Sequence, residues 1–134
     1  MNRLRRGTFV LLAGAALGTH GCAPLCGNDV VTEATSPEGK ARAVVFERDC
    51  GATTDFSTQV SILSSGKELP DESGNVFVAD TDHGRAPAGA KGGPEVRVQW
   101  EDAKHLVVGH HSKARVFRAE TRVGDFAIRY EAFE

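Results

Sequence analysis

Residues 36–47 read SPEGKARAVVFE, and this stretch decides the fold class. A proline at the first central turn position and a glycine two residues later predict a tight turn over 36–40. The apolar and β-branched segment 41–47 predicts a strand. Residues 57–63, STQVSIL, alternate polar and apolar side chains and predict a second, half-buried strand. Residues 48–55 have the length of a connecting loop, so we expect a wide hairpin.

Short runs of strand-forming residues recur along the rest of the chain, between polar turns. The clearest is 96–101, VRVQWE, in which Val96, Val98 and Trp100 alternate with polar residues. None of these runs requires a helix longer than a turn or two. The predicted strands are 41–47, 57–63, 75–79, 96–101, 105–109, 114–118 and 126–131. We therefore expect one all-β domain over residues 36–134, a small antiparallel sandwich or a curled open sheet of about seven short strands.

Two stretches are expected to lie outside regular structure. Residues 22–35 are polar and mixed in composition, which predicts a tether or irregular segment before the first strand. Residues 80–94 are rich in glycine, alanine and proline and contain little to bury, which predicts a long loop. The second stretch is the loosest part expected in the domain.

The first 21 residues have the layout of a secretory signal peptide. MNRLRR at residues 1–6 is basic without an acid, and the apolar run TFVLLAGAAL follows at 8–17. As a helix the run would cover about 15 Å, half of a hydrocarbon core of about 30 Å, so it is too short for a permanent transmembrane helix. A buried amphipathic helix is the alternative, but the run has no polar interruptions between Phe9 and Leu17. Residues 1–21 therefore predict export.

The sequence that follows, GTHGC up to Cys22, resembles the cleavage region of bacterial lipoprotein precursors, in which the cysteine is lipidated. Gly21 fits their pattern, whereas Thr19 and His20 depart from the aliphatic and small residues usual at those positions. Ordinary signal cleavage near residues 21–23 is therefore the alternative. The resemblance implies a lipid anchor on Cys22 in the inner or outer membrane, facing the periplasm. Ordinary cleavage implies a soluble periplasmic or secreted protein.

Three cysteines are present, Cys22, Cys26 and Cys50. An exported chain with an odd number of cysteines should carry one modified, intermolecular or free thiol. A lipid on Cys22 would leave Cys26 and Cys50 as one pair in an oxidising compartment, so we expect a disulfide between them. This bridge closes a loop of about 25 residues, which the chain-entropy model values at about 3.5 kcal/mol. Two buried reduced thiols would instead require the cytosol, which the signal peptide argues against.

The mature chain is acidic. Removing residues 1–21 takes away three arginines and no acid, which leaves 13 Lys+Arg against 18 Asp+Glu and a net charge of about −5. Nucleic-acid binding needs grouped cations that neutralise phosphates, whereas the basic residues here are spread singly along the sequence. We therefore expect no nucleic-acid partner.

Two motifs, SPEGK at 36–40 and CGATT at 50–54, resemble a family of small exported bacterial proteins and lipoproteins, as do the strands that follow them. Glu38 replaces the more usual aspartate, and the strand at 96–100 with its acidic turn fits the same pattern. The resemblance spans most of residues 36–110. That family has no assigned activity, so the resemblance implies no particular chemistry.

The first candidate for an interaction site is the loop between the two hairpin strands. Its glycine allows unusual backbone angles, its hydroxyls can donate hydrogen bonds, and a bridge at Cys50 would stiffen it. The alternative is that its polar side chains only satisfy local backbone groups and shape the loop. The candidate residues are Gly51, Ala52, Thr53, Thr54 and Asp55.

Histidines are the second candidate, because imidazoles with nearby carboxylates can ligate zinc. Neighbouring His110 and His111 point to opposite faces of a strand, so they cannot chelate as a pair. The DTDHG stretch at 80–84 also fails as a calcium loop, since Lys91 stands where the bidentate glutamate belongs. We therefore expect no metal and no cofactor. The residues considered are His83, His105, His110 and His111 with Asp80 and Asp82.

The sequence contains no motif of nucleophilic or phosphate chemistry, so the chain is not expected to be an enzyme. We expect a cell-envelope binding or interaction module, tethered to the membrane by a lipid on Cys22, with an envelope protein as a further partner. The alternative from another class is a small envelope hydrolase that uses the histidines. A purely structural accessory protein is the third hypothesis.

Overall fold

The computed structural model describes residues 26–51 and 55–134. Within these ranges the chain forms nine β-strands and no helix, which confirms the all-β prediction. The strands are β1 (Gly27–Thr35), β2 (Ala41–Asp49), β3 (Ser57–Ser64), β4 (Phe77–Asp80), β5 (Val96–Trp100), β6 (His105–His111), β7 (Arg115–Ala119), β8 (Arg122–Val123) and β9 (Phe126–Phe133).

The N-terminal predictions concern residues outside the described ranges. The signal peptide, residues 1–21, and the lipidation site, Cys22, both fall there and stay predictions. In the described part, no helix is long and apolar enough to cross a membrane.

The first sheet has five strands in the order β1-β2-β3-β4-β7, and its neighbours are all antiparallel. β2 and β3 pair along almost their whole length, which confirms the predicted wide hairpin. The turn before β2 is also as expected: the N–H of Gly39 donates to the carbonyl of Ser36 at 2.8 Å. Gly39 has a φ of +71°, a left-handed angle that glycine adopts without steric cost.

The second sheet has four strands in the order β5-β6-β9-β8. β6 and β9 run parallel, whereas the other described strand pairs are antiparallel. The chain leaves β6, crosses to the first sheet as β7, and returns as β9 beside β6 in the same direction. A parallel pair requires such a crossover. The antiparallel pattern expected from the sequence therefore fails at this one pair.

The core lies between the two sheets, which pack as a sandwich. Phe77 and Leu106, from opposite sheets, are fully buried in it. Trp100 lies beside this core, where its indole N–H donates to the carbonyl of Ala34 at 2.9 Å and its ring meets Phe126 edge-on. The buried apolar cluster comprises Ala41, Ala43, Val45, Val60, Ile62, Val76, Phe77, Ala79, Val96, Leu106, Val108 and Ile128.

The outer face of the first sheet is covered as well. Val44 and Phe46 alternate with the core-facing residues of β2 and are nevertheless fully buried. Residues 65–75, here called the strap, cross this face. Asn75 exchanges two hydrogen bonds with the backbone of Ile62, at 2.9 and 3.1 Å. Further polar contacts join Arg42 to the Lys67 carbonyl, Arg48 to Asp71, Asn28 to the Pro70 carbonyl and the Gly74 N–H to Gln59.

Residues 27–35, for which the sequence predicts an irregular segment, instead form strand β1. β1 is an edge strand, and most of its side chains are exposed, so no apolar alternation marks it in the sequence. Its backbone ladder to β2 holds it in place. The register shifts between Val30 and Thr32, which is a β-bulge, and bulges of this kind discourage an edge strand from pairing further.

Candidate functional site

At one end of the first sheet, all five of its strands begin or end. β1, β3 and β7 begin there, and β2 and β4 end there. The Cys26–Cys50 disulfide lies just beyond the paired ends of β1 and β2, which confirms the predicted bridge. We call this end of the sheet the disulfide end. The ladder pairs nearest to it are Gly27↔Asp49, Arg48↔Ser57, Ser57↔Asp80 and Asp80↔Arg115.

The predicted interaction loop lies at the disulfide end. Residues 52–54, which hold Ala52, Thr53 and Thr54, are outside the described ranges. The N–H of Gly51 donates to the Asp49 carboxylate at 2.8 Å. On the other side of the loop, the Asp55 carboxylate lies 3.6 Å from Nδ1 of His83. Asp55 therefore lies next to the turn after β4, and the sequence-predicted candidates Asp80, Asp82 and His83 lie at the end of β4 and in this turn.

Asp55 borders a depression at the start of β7. The buried carboxylate of Asp80 forms the floor of the depression. It accepts hydrogen bonds from Nε of Arg115 at 3.1 Å and from Nη2 of the same guanidinium. The backbone N–H of Asp82 donates to the same carboxylate at 2.8 Å. Such a bidentate Arg–carboxylate pair fixes both side chains in one orientation. The lining residues are Asp55, Ser57, Val78, Asp80, His83, Arg115 and Phe117.

The electrostatics of this depression are set by the Asp80–Arg115 pair. Burial by itself raises the pKa of Asp80, but the hydrogen bonds from Arg115 and from the Asp82 backbone outweigh it and hold the pKa below its usual value. The same contact raises the pKa of Arg115. At neutral pH the depression therefore contains a fixed ion pair.

The turn that borders the depression has unusual backbone angles. Asp82 has a φ of +51° and His83 a φ of +56°, a left-handed conformation that costs a residue with a side chain about 1 kcal/mol. The turn is held by Thr81, whose hydroxyl accepts the N–H of Gly84 at 3.2 Å and whose carbonyl accepts the N–H of Ala86 at 2.9 Å. These contacts keep His83 beside Asp55.

An aromatic ring completes the depression. Phe117 is 61% exposed, although it belongs to a strand. The guanidinium carbon of Arg115 lies 5.0 Å from the centre of its ring, within the range of a cation–π contact. A large exposed apolar side chain next to a charged pair is a feature of binding surfaces.

A second depression lies at the disulfide end, around Glu47 of β2. Glu47 is buried, and its carboxylate accepts the N–H of Gly93 at 2.6 Å. Burial raises the pKa of Glu47, although this hydrogen bond and the charge of Lys91 act in the opposite direction. Phe56, 44% exposed, lies on the rim. The lining residues are Gly27, Asn28, Asp29, Glu47, Asp49, Phe56 and Lys91.

The connection 81–95 closes this end of the sandwich. Thr58 donates its hydroxyl to the carbonyl of Pro94 at 2.6 Å, and Pro94 is fully buried. A Cβ on Gly93 would lie 2.4 Å from the Thr58 hydroxyl oxygen and 2.9 Å from the Glu47 carboxylate, so only glycine fits. The stretch expected to be loosest therefore includes a segment packed tightly against the sheet.

The histidines considered as metal ligands are dispersed. His105 lies 2.8 Å from the Asp102 carboxylate, and His110 stacks on Phe77 with 5.3 Å between ring centres. His111 accepts the N–H of Lys113 at 3.1 Å. In residues 26–51 and 55–134, no three His, Cys, Asp or Glu side chains are placed to hold a metal. The structure brings only His83 to the candidate site.

Sequence reasoning did not single out Glu47, Arg115 or Phe117. Asp80 and Arg115 are 35 positions apart, and no local pattern connects them. A phenylalanine beside arginines in the predicted strand 114–118 is the signal that could have drawn attention to Phe117. Comparison of the chain with models of protein families, with curated proteins and with solved structures finds no match. The resemblance carried by SPEGK and CGATT therefore stays a prediction.

Proposed function

We propose that the chain is an exported, lipid-anchored interaction module of the cell envelope, and that it binds its partner through the disulfide end. The observation that carries this proposal is the depression around Asp80 and Arg115, where a fixed ion pair lies beside the exposed ring of Phe117. Anchoring through Cys22 rests on the sequence, on its signal-like residues 1–21 and on the cysteine that the disulfide leaves over.

The side chains of the depression are better suited to binding than to catalysis. Asp80 is committed to Arg115, which removes it as a base. The hydroxyl of Ser57 accepts a hydrogen bond from Gln59 at 2.8 Å and donates to the Arg48 carbonyl at 3.5 Å, so among the described residues no histidine takes its proton. A nucleophile needs a base within hydrogen-bond reach. The hydrolase alternative therefore has less support than the binding module.

The lipid anchor can be tested on the full-length chain produced in a bacterial host. Mass spectrometry of the mature N-terminus should find a lipid on Cys22, and the protein should partition into detergent. Cys22→Ala should abolish both. A soluble wild-type protein with an unmodified N-terminus near Ala23 would disprove the anchor.

The binding surface can be tested in the same cells by photo-crosslinking. A benzophenone amino acid in place of Phe117 should give an adduct with an envelope component on irradiation. The matched control replaces Lys40, which is exposed in the turn at the far end of β1 and β2. Adducts of equal yield from both positions, or none from position 117, would contradict a binding surface at the disulfide end.

A further inference from the structure

We propose that the disulfide end contacts the lipid bilayer itself, so that the domain stands with this end on the membrane. This inference rests on the proposed lipid anchor at Cys22 and names the partner of the same surface. Three observations carry it: the length of the tether, the distribution of exposed apolar side chains, and the pairing of charges at this end.

The tether is short because the disulfide fixes its far end. Cys26 is bonded to Cys50 at the disulfide end of the sheet, and only four residue steps separate Cys26 from Cys22. Four steps span at most about 14 Å. β1 carries the chain away from this end over nine residues, or about 30 Å, to Thr35. A lipid on Cys22 would therefore hold the disulfide end close to the bilayer, and the other end can lie much farther away.

Three of the five large exposed apolar side chains of the described residues lie at the same end. Val116 and Phe117 lie near the start of β7, and Phe56 immediately precedes β3, whereas Val30 and Val31 lie midway along β1. Both β3 and β7 begin at the disulfide end. Aromatic and aliphatic side chains in such positions can enter the boundary between headgroups and acyl chains. The exposed large apolar residues of the described chain are Val30, Val31, Phe56, Val116 and Phe117.

Three of the carboxylates around these side chains are paired with cations. Carboxylates at this end would be repelled by anionic headgroups if they were not neutralised. The pairing reduces the negative charge that faces the membrane, which favours zwitterionic headgroups such as phosphatidylethanolamine over anionic ones. The pairs are Asp29 with Lys91, Asp82 with Arg85 and Asp80 with Arg115.

Lysine acetylation of the lipidated wild-type protein tests the contact without any substitution. The protein would be compared in detergent and in vesicles of phosphatidylethanolamine and phosphatidylcholine. Lys91 at the disulfide end should become several-fold less reactive in vesicles. Lys40 and Lys67, which lie at the far end, should react equally in both preparations. Equal reactivity of Lys91 in detergent and vesicles would overturn the proposal.

Fluorescence gives a second measurement. Trp100 is the single native tryptophan, and its contact with Ala34 places it at the far end of β1. In Phe56→Trp, vesicles with a spin label near the headgroup should quench the added indole emission, whereas wild-type emission from Trp100 should change little. Phe56 is 44% exposed, so an indole at this position can remain at the surface.

The outcomes separate this inference from the proposed function. A lipid on Cys22 without protection of Lys91 or quenching at position 56 would leave the anchor intact and overturn the bilayer contact. Protection of Lys91 only after an envelope protein fraction is added would assign the surface to a protein and also overturn it. Absence of lipid on Cys22 would overturn both the lipid anchor and the bilayer contact.

Discussion

The two depressions at the disulfide end each contain a buried carboxylate, but they hold it in different ways. Asp80 is held by a side chain of opposite charge, Arg115, and its pKa is lowered. Glu47 is held by a backbone N–H from Gly93, and burial raises its pKa. A buried carboxylate with an ionic partner is stabilised in its charged form, and one held mainly by desolvating packing is not. The two sites should therefore respond oppositely to pH.

Loss of the disulfide should have the largest effect, because it frees the paired ends of β1 and β2 beside the Glu47 depression. Cys50→Ala is expected to lower the free energy of unfolding by about 2 to 4 kcal/mol, or the melting temperature by about 10 to 25 °C. Thermal melts of wild-type and variant protein measure it. Reduced wild-type protein should melt like the variant. A variant that melts with the oxidised wild-type would show that the bridge contributes no stability.

Gly93→Ala should disturb the Glu47 depression and leave the Asp80 depression intact. The added methyl would overlap the Thr58 hydroxyl and the Glu47 carboxylate, at a cost of about 2 kcal/mol. Urea unfolding would measure the loss. Gly27→Ala is the control, since a Cβ there meets no atom within 4 Å. Equal stability of the two variants would contradict the close packing at Gly93.

Asp80→Asn should cost about 1 kcal/mol at neutral pH, a moderate figure because the Arg115 side chain is partly exposed. Because folding lowers the pKa of Asp80, its contribution is complete above the usual value near 3.8 and is lost as pH falls through the folded-state pKa. Wild-type protein should therefore lose more stability in acid than the variant. Asp71→Asn, which changes a more exposed carboxylate paired with Arg48, is the control. Parallel stability curves in acid for wild-type and Asp80→Asn would refute the prediction.

Glu47→Gln should have the smallest effect, within about 1 kcal/mol at neutral pH, because the amide oxygen can still accept the Gly93 N–H. Folding raises the pKa of Glu47, so its contribution is present below the usual value near 4.5 and is lost as pH rises through the folded-state pKa. Wild-type stability should fall over that window, and the variant should lack this fall. A marked loss of stability in the variant at neutral pH would mean that the charged form is needed.

Local chemistry in the sequence predicted part of this arrangement. The turn at 36–40 indicated where β2 begins, the alternation at 57–63 indicated β3, and cysteine parity indicated the Cys26–Cys50 pair. The alternation of apolar and polar residues did not predict β1 or the strap, because backbone hydrogen bonds and polar contacts hold these segments in place. There, burial and pairing depend on partners far along the chain. The Asp80–Arg115 pair belongs to this second class.

The chain passes from the second sheet to the first at β7 and returns to the second at β8, and this order affects how it folds. β7 completes the first sheet and β9 joins the second, and both lie within residues 115–133. Neither sheet is complete until these residues have been synthesised, so neither is expected to form from the preceding strands alone. Pairings between distant segments also make folding slow. The proposed export would benefit from this delay, because a chain that enters a translocation pore must still be unfolded.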